Sequence, residues 1–328
     1  MTENYKTKTL PIITQREAIE QANKKIEEAM RDQFPGLISR WSAVNRAMGG
    51  AFKFNEITYL AGPSGGGKSM ILNMLREDFA GKLNSGFRHK FKILAFSFEM
   101  SAADEIVRTY SSVLKTSYST LMSSYTKITE EYLQMIKNTS SRVDNDIIHY
   151  VEIAGNREKI LATVDDFHNR YPDHKLIITI DHSLLMEYLD EKSEVELVSK
   201  FSSLAMYMKK RYGALIIMLG QLNDKIEQPD RLKNPLLHFP KKTDIHGSKS
   251  VFFTSDSVIV VNRPELLQLE YYGKTNIPTQ DLVVWHVLKS RLNGQEGIIK
   301  MKQDFAHGTL IYPYEKEKQE VITPTTLF

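Results

Sequence analysis

The stretch EITYLAGPSGGGKSM, residues 56–70, runs from an apolar strand pattern through a glycine-rich turn into the start of a helix. It satisfies G-x-x-x-x-G-K-[ST] with Gly62, Gly67, Lys68 and Ser69, and Pro63, Ser64, Gly65 and Gly66 fill the loop between them. Each residue type has a task. Glycines let successive backbone N–H groups wrap a phosphate, and the helix N-terminus adds a favourable field. A lysine reaches the β- and γ-phosphates, and a serine hydroxyl holds Mg²⁺. Strand before and helix after are the context that the motif requires, so residues 62–69 are expected to bind a nucleotide and Mg²⁺. Such loops serve kinases, GTPases, transporters, recombinases and motors alike, so this one specifies a ligand and leaves the task open.

Working outward, strands and helices alternate. FKILAFSFE (91–99) precedes a helix opened by Ser101 with Asp104 at capping-box spacing, and IIHYVEI (147–153) leads to a helix near Asn156. KLIITID (175–181) precedes a helix opened by Ser193 with Glu196, and ALIIML (214–219) ends at Gly220 and Gln221. Short, nearly continuous apolar strands separated by helices predict an α/β fold with a mostly parallel sheet covered on both faces. SDSVIVV (255–261), LVVWHVL (282–288), GIIKMK (297–302) and GTLIYPY (308–314) lack intervening helices and predict an antiparallel C-terminal extension. Ahead of the core, QREAIEQANKKIEEAM (15–30) sets Ile19, Ala22, Ile26, Ala29 and Met30 at helical spacing. That stripe either packs on its own domain or docks on a neighbouring subunit. Three segments follow: an arm and helix over 1–35, one main domain over 36–314, and a charged, then polar, tail over 315–328.

Composition narrows the chemistry. At 328 residues and 41% hydrophobic content the chain can bury a sizeable core, and the absence of cysteine excludes disulfides, thiolate zinc sites and cysteine nucleophiles. A formal charge of +3 is too mild to announce a polyanionic partner without a local patch. No apolar run approaches the roughly 18 residues of a membrane span, and the first 15 residues lack a signal peptide's apolar core. A soluble, cytoplasmic protein is expected.

Several polar residues stand at strand ends. Asp181 closes a buried strand, where a carboxylate organises Mg²⁺ beside a phosphate loop; otherwise it is a strand-ending aspartate of no consequence. Glu99 ends a strand expected beside the phosphate-loop strand, where it would face the γ-phosphate and polarise water, or else favour the dipole of the next helix. Gln221 is placed to report γ-phosphate status into residues 223–250, a segment with little regular structure expected. That segment carries Lys225, Arg231, Lys233, Lys241, Lys242 and Lys249 against Glu227, Asp230 and Asp244, making it the best patch for a polyanion, if it is not simply solvated. Lys289 and Arg291 fall two apart on one strand face before Asn293–Gly294, a hairpin-turn signal. They either stabilise a neighbouring subunit's phosphate, as an arginine finger does, or guard an exposed edge.

The order of these elements carries a resemblance: phosphate loop, SFEMS (97–101), IDH (180–182), GQLN (220–223), DIHGSKS (244–250) before SDSVIVVNR, then KSRLNGQEG (289–297). Over residues 36–314 the chain resembles the RecA-like motor domain of DnaB-type replicative helicases, the hexameric ring family of superfamily 4. The resemblance implies an ATP-driven helicase, a homohexamer translocating on single-stranded DNA, with primase, a helicase loader or a single-strand-binding protein as candidate partners. It assigns Lys68 and Ser69 to ATP and Mg²⁺, Asp181 to the metal, Glu99 to water and Gln221 to sensing. It makes Lys289 and Arg291 a trans-acting pair, and the helix over 15–31 a linker docked on a neighbour. For DNA it points to Lys241, Lys242, His246, Gly247, Ser248 and Lys249, although the family's D-L-R-E-S-G signature is replaced here by DIHGSKS. His182 also stands where an aromatic residue is common. The family's usual N-terminal helical domain does not fit into 35 residues, an architecture expected of a phage or mobile-element motor. Two rivals remain: a RecA-like recombinase forming filaments, and a non-motor, ATP-gated binding or loading factor.

Overall fold

A computed structural model describes residues 12–30, 36–125, 128–181, 186–291 and 297–311. The strands are β1 (Glu56–Gly62), β2 (Phe91–Ser97), β3 (Ile148–Val151), β4 (Lys175–Asp181), β5 (Leu215–Gln221), β6 (Ser257–Asn262), β7 (Tyr271–Tyr272), β8 (Ile277–Pro278), β9 (Leu282–Ser290), β10 (Gly297–Asp304) and β11 (Thr309–Ile311). The helices are α1 (Gln15–Met30), α2 (Ser42–Ala47), α3 (Lys68–Ala80), α4 (Ala102–Leu114), α5 (Tyr118–Leu121), α6 (Glu130–Val143), α7 (Arg157–Arg170), α8 (Glu194–Tyr212), α9 (Pro229–Leu232) and α10 (Ser248–Thr254).

Local signals set the helix starts. The side chains of Ser101, Asn156 and Ser193 accept the N–H groups that the first turns of α4, α7 and α8 leave free. The main sheet runs β11-β10-β9-β6-β1-β5-β4-β2-β3, and its β6-β1-β5-β4-β2-β3 part is wholly parallel. Because strand side chains alternate between faces, β1 serves two cores. Leu60 joins α3 residues such as Ile71 and Leu75, with Phe52, Phe79 and Trp285, on one side. Ile57, Tyr59 and Ala61 meet Val164 of α7, Phe201 of α8 and Val251 of α10 on the other. Trp41 packs edge-on against Trp285 at 5.3 Å and donates its indole N–H to the Leu310 carbonyl at 3.1 Å, which ties the segment before β1 to the last strands.

Three expectations are corrected. β6 does not belong to the antiparallel extension: it pairs parallel with β1, and the extension starts at β9, which runs antiparallel to β6. The seven-residue α10 before β6 is too short to give a helical pattern in the sequence. β2 does not lie beside β1, since β5 and β4 stand between them. Residues 223–250 are not irregular but fold into short helical turns around a buried ion pair, Arg231 Nη1 to Asp244 Oδ1 at 2.7 Å. Arg231 also donates to the carbonyls of Leu237 and Phe239, so it organises the segment from inside and leaves the exposed patch. The apolar stripe of α1 does not pack on the described residues of its own domain, because Ile19, Ala22, Ile26 and Met30 are all exposed.

Candidate active site

The parallel strands deliver their polar residues to one end of the sheet, where β1 leads into the phosphate loop, β4 ends in Asp181, β5 ends in Gln221 and the chain leaves β2 through Glu99. Ligands of open α/β sheets collect at this carboxyl edge. A cleft of about 350 Å³ opens there, lined by residues 64–70 together with Glu99, Arg108, Tyr118, Gln221 and Phe305.

The loop is folded around its own Pro63 carbonyl, which accepts Gly66 N–H at 3.1 Å and Lys68 Nζ at 2.8 Å. Gly67 has φ +87°, and a Cβ there would come within 2.6 Å of the Phe305 ring, so this position demands glycine twice over. Lys68 is buried, and burial pulls its ammonium down from its ordinary value while the carboxylates of Asp181 and Glu99 oppose the shift. Asp181 is buried too. Burial pushes its carboxyl up to about 6, against the Ser69 hydroxyl and the Arg76 charge, while Glu99 and Glu105 add to the rise. Its Oδ1 is a buried acceptor without a hydrogen-bond partner among the described residues.

Glu99 is exposed at the mouth, with Ser69 Oγ 3.4 Å from its Oε2. Thus Lys68, Ser69, Glu99 and Asp181 converge although β2 is two strands removed from the place its sequence order suggests. The oxygen donors suit Mg²⁺: Ser69 and Asp181 offer a hydroxyl and a partnerless carboxylate oxygen, and no group of three or more His, Asp or Glu forms a cage among the described residues. A hard cation held by one carboxylate and one hydroxyl takes its remaining ligands from substrate phosphates and water. Bound there, Mg²⁺ would neutralise charge developing on the β- and γ-phosphate oxygens.

Gln221 sits opposite Gly62 in the β1–β5 register and lines the cleft. The chain beyond it pairs with the basic segment: Gln221 O accepts His246 N–H at 3.2 Å, Leu222 bridges Ile245, and Asn223 N–H donates to Asp244 O at 2.7 Å. A Cβ at Gly220 would fall within 1.8 Å of the Tyr59 hydroxyl, which keeps the residue before Gln221 side-chain-free. Lys241, Lys242 and Lys249 are exposed, Lys242 lying over the Phe252 ring at 4.8 Å, and Gly247 starts α10 with φ +63°. His246 is half-buried, and the side chain of Ser248 lies outside the described residues.

Lys289 and Arg291 do not reach the cleft of their own chain. Lys289 Nζ donates to the carbonyls of Phe252 and Ser255 at the end of α10, and Arg291 Nη1 meets Asp256 Oδ1 at 2.9 Å with its side chain 52% exposed. Both cations therefore cluster where β6 begins. The Asn293–Gly294 turn, His182 and the tail lie outside the described residues.

Sequence reasoning missed Arg263 and Phe305. Arg263 Nη1 donates to the Gly65 carbonyl at 3.0 Å, and its guanidinium lies 4.8 Å from the centre of the Phe305 ring, which borders the phosphate loop. Arg263 closes the SDSVIVVNR stretch without a role readable from it, and Phe305 belongs to no local motif. The β1–β6 pairing and the return through β10 bring them in, and only the sheet order would have exposed them.

Fold and cleft define a RecA-like P-loop ATPase. The model of the DnaB-like helicase C-terminal domain matches residues 36–308, and the chain belongs to that family. It is an ATP-hydrolysing helicase domain. Among solved structures, one described as an ATPase domain superposes with a TM-score of 0.72 at 17% identity, covering 89% of this chain and 98% of that one. A second, "The Structure Of A DnaB-Like Replicative Helicase And Its Interactions With Primase", also has a TM-score of 0.72 at 17% identity, covering 92% of this chain and 67% of that one. No curated protein sequence matches the chain.

Proposed function

We propose that this chain is the motor of a replicative DNA helicase, a cytoplasmic homohexameric ring that hydrolyses ATP to translocate on single-stranded DNA and unwind duplex. The observation that carries the reading is the direct backbone pairing of residues 221–223, at the edge of the ATP cleft, with residues 244–246 of the basic segment. A change at Gln221 then moves the segment bearing Lys241, Lys242, His246, Gly247, Ser248 and Lys249. Exposed lysines and backbone amides there bind a phosphate backbone without reading sequence, as a translocating motor requires.

In the cleft, backbone N–H groups of residues 64–69 and Lys68 would hold the triphosphate, and Ser69 with Asp181 would hold Mg²⁺. Glu99 accepts a proton from the attacking water, for which its exposed position at the cleft mouth is suited. Phe305 and Arg263, which border the phosphate loop at Gly67 and Gly65, offer an aromatic ring and a cation against which a nucleobase could stack. Lys289 and Arg291, absent from their own cleft, complete the site of a neighbouring protomer, and the exposed stripe of α1 docks on that neighbour. One solved relative is described with primase, and the same kind of partner, or a loader or single-strand-binding protein, is a candidate here.

A forked-duplex assay tests the reading. Strand separation is expected with ATP and Mg²⁺ and not without them, together with closed six-membered rings in electron micrographs. DNA-stimulated hydrolysis without unwinding would replace the helicase by an ATP-gated binding factor, and open filaments would favour a recombinase.

A further inference from the structure

Arg76 lies on α3 two turns beyond Lys68, is 1% exposed, and is the hub of a polar network under the cleft. Its Nε donates to Thr179 Oγ1 at 2.8 Å. Thr179 precedes Asp181 by two residues on β4, so both side chains point to the α3 face of the sheet. Its Nη1 pairs with the Glu105 carboxylate and lies 3.5 Å from Ser97 Oγ, and Ser97 donates to Glu105 Oε1 at 2.7 Å. Ser97 is the register partner of Asp181 across β2 and β4 and stands two residues before Glu99. Glu105 belongs to the first turn of α4, which opens immediately after Glu99 and Met100. One guanidinium thus ties together the helix that starts at the phosphate loop, the strand of the metal carboxylate, and both sides of the turn that carries Glu99.

We propose that Arg76, together with Glu105, is a positioning group for ATP hydrolysis that fixes the distance between Asp181 and Glu99. A buried ion pair is weak as a stability device, because replacing both partners by apolar side chains of similar volume is often neutral. Its planar fork, in contrast, fixes direction as well as distance, which suits a brace between elements far apart in sequence. Arg76 is 1% exposed and does not line the cleft. It acts by holding Asp181 and Glu99 in register, so its effect falls on the chemical step. This inference rests on the proposed roles of Asp181 and Glu99.

The test uses the full chain in steady-state ATP hydrolysis with DNA. The double substitution Arg76→Met/Glu105→Met removes both partners of the ion pair and strands neither charge, and is expected to melt near wild type, keep KM for ATP within about threefold and lower kcat ten- to a hundredfold. Misplacement of catalytic groups by about 1 Å has consequences of that size. Arg76→Lys keeps the charge without the fork and is expected to recover only part of the lost kcat. Thr179→Val removes one arm and leaves the ion pair, so it tests the same point should the double variant fail to fold, with a kcat loss of about threefold or more expected. Wild-type kcat in a folded double variant or in Thr179→Val overturns the inference, as does a loss confined to KM. Glu99→Gln is the control for the underlying reading: normal turnover there removes the role of Glu99 itself, whereas an inactive Glu99→Gln beside a normal double variant removes only the role of Arg76.

Discussion

Asp256→Asn should destabilise the fold by about 3 to 5 kcal/mol, the range for breaking a buried ion pair from one side. The carboxylate of Asp256 is buried and accepts Ile57 N–H at 2.8 Å, Lys209 Nζ at 2.6 Å and Arg291 Nη1 at 2.9 Å, so it joins the start of β1, the end of α8 and the end of β9. Arg291 is half exposed and recovers hydration when the charge goes; Lys209 does not, being 7% exposed. The cost is therefore mainly that of stranding the Lys209 ammonium. For a domain of this size about 1 kcal/mol moves Tm by roughly 2 °C, which makes the expected drop about 6 to 10 °C by calorimetry at fixed protein concentration. Lys209→Met in the Asp256→Asn background removes the stranded charge, and the double variant should regain more than half of the loss. A drop below about 2 °C in Asp256→Asn, or a double variant as unstable as the sum of the singles, would refute the reasoning.

If Arg291 acts in trans, Arg291→Ala subunits and Lys68→Ala subunits are each inactive, yet a 1:1 mixture regains up to about a quarter of wild-type ATPase, since one interface in four then pairs an intact Lys68 with an intact Arg291. No recovery at any ratio refutes the trans role. Glu56, half-buried at the start of β1, has its carboxyl pushed up to about 7 by burial first and by Asp256 second. A raised folded pKa means that its contribution is complete below the unfolded value and is lost as pH rises through 7. The bound of about 3 kcal/mol shrinks to about 1 kcal/mol for a site this open to water, so from pH 4 to 8 the wild type should lose about 2 °C more in Tm than Glu56→Gln. Identical pH profiles would refute this. Phe305→Ala should raise KM for ATP roughly tenfold, the size of one stacking contact, and change hydrolysis of inorganic tripolyphosphate far less. Equal effects on both substrates would mean that Phe305 only supports the loop at Gly67.

What the sequence discloses and what it hides divide along a physical line. Ser101, Asn156 and Ser193 announce their helices because an N-cap hydrogen bond closes within three residues, and the phosphate loop announces itself because eight consecutive residues make the site. Strand order has no such local carrier. By sequence order β2 belongs next to the phosphate-loop strand, yet β5 and β4 stand between them; Glu99 reaches Ser69 because the chain runs on past β2 toward the cleft, not because the strands are neighbours. Arg76 carries no signal at all, since an arginine within a helical stretch reads as a solvated residue, and its partners Thr179, Ser97 and Glu105 come from three other elements. Residues 223–250 mislead for the complementary reason. Prolines and alternating charges suggest an irregular basic loop, but the pairing of Arg231 with Asp244 withdraws one charge of each sign into the interior. Lys225, Lys233, Lys241, Lys242 and Lys249 stay outside, and the last three lie nearest in sequence to the backbone pairing that begins at Gln221. The basic surface is thus smaller than composition implies and joined by backbone pairing to the edge of the ATP cleft, which is the arrangement that the proposed coupling of phosphate to DNA requires.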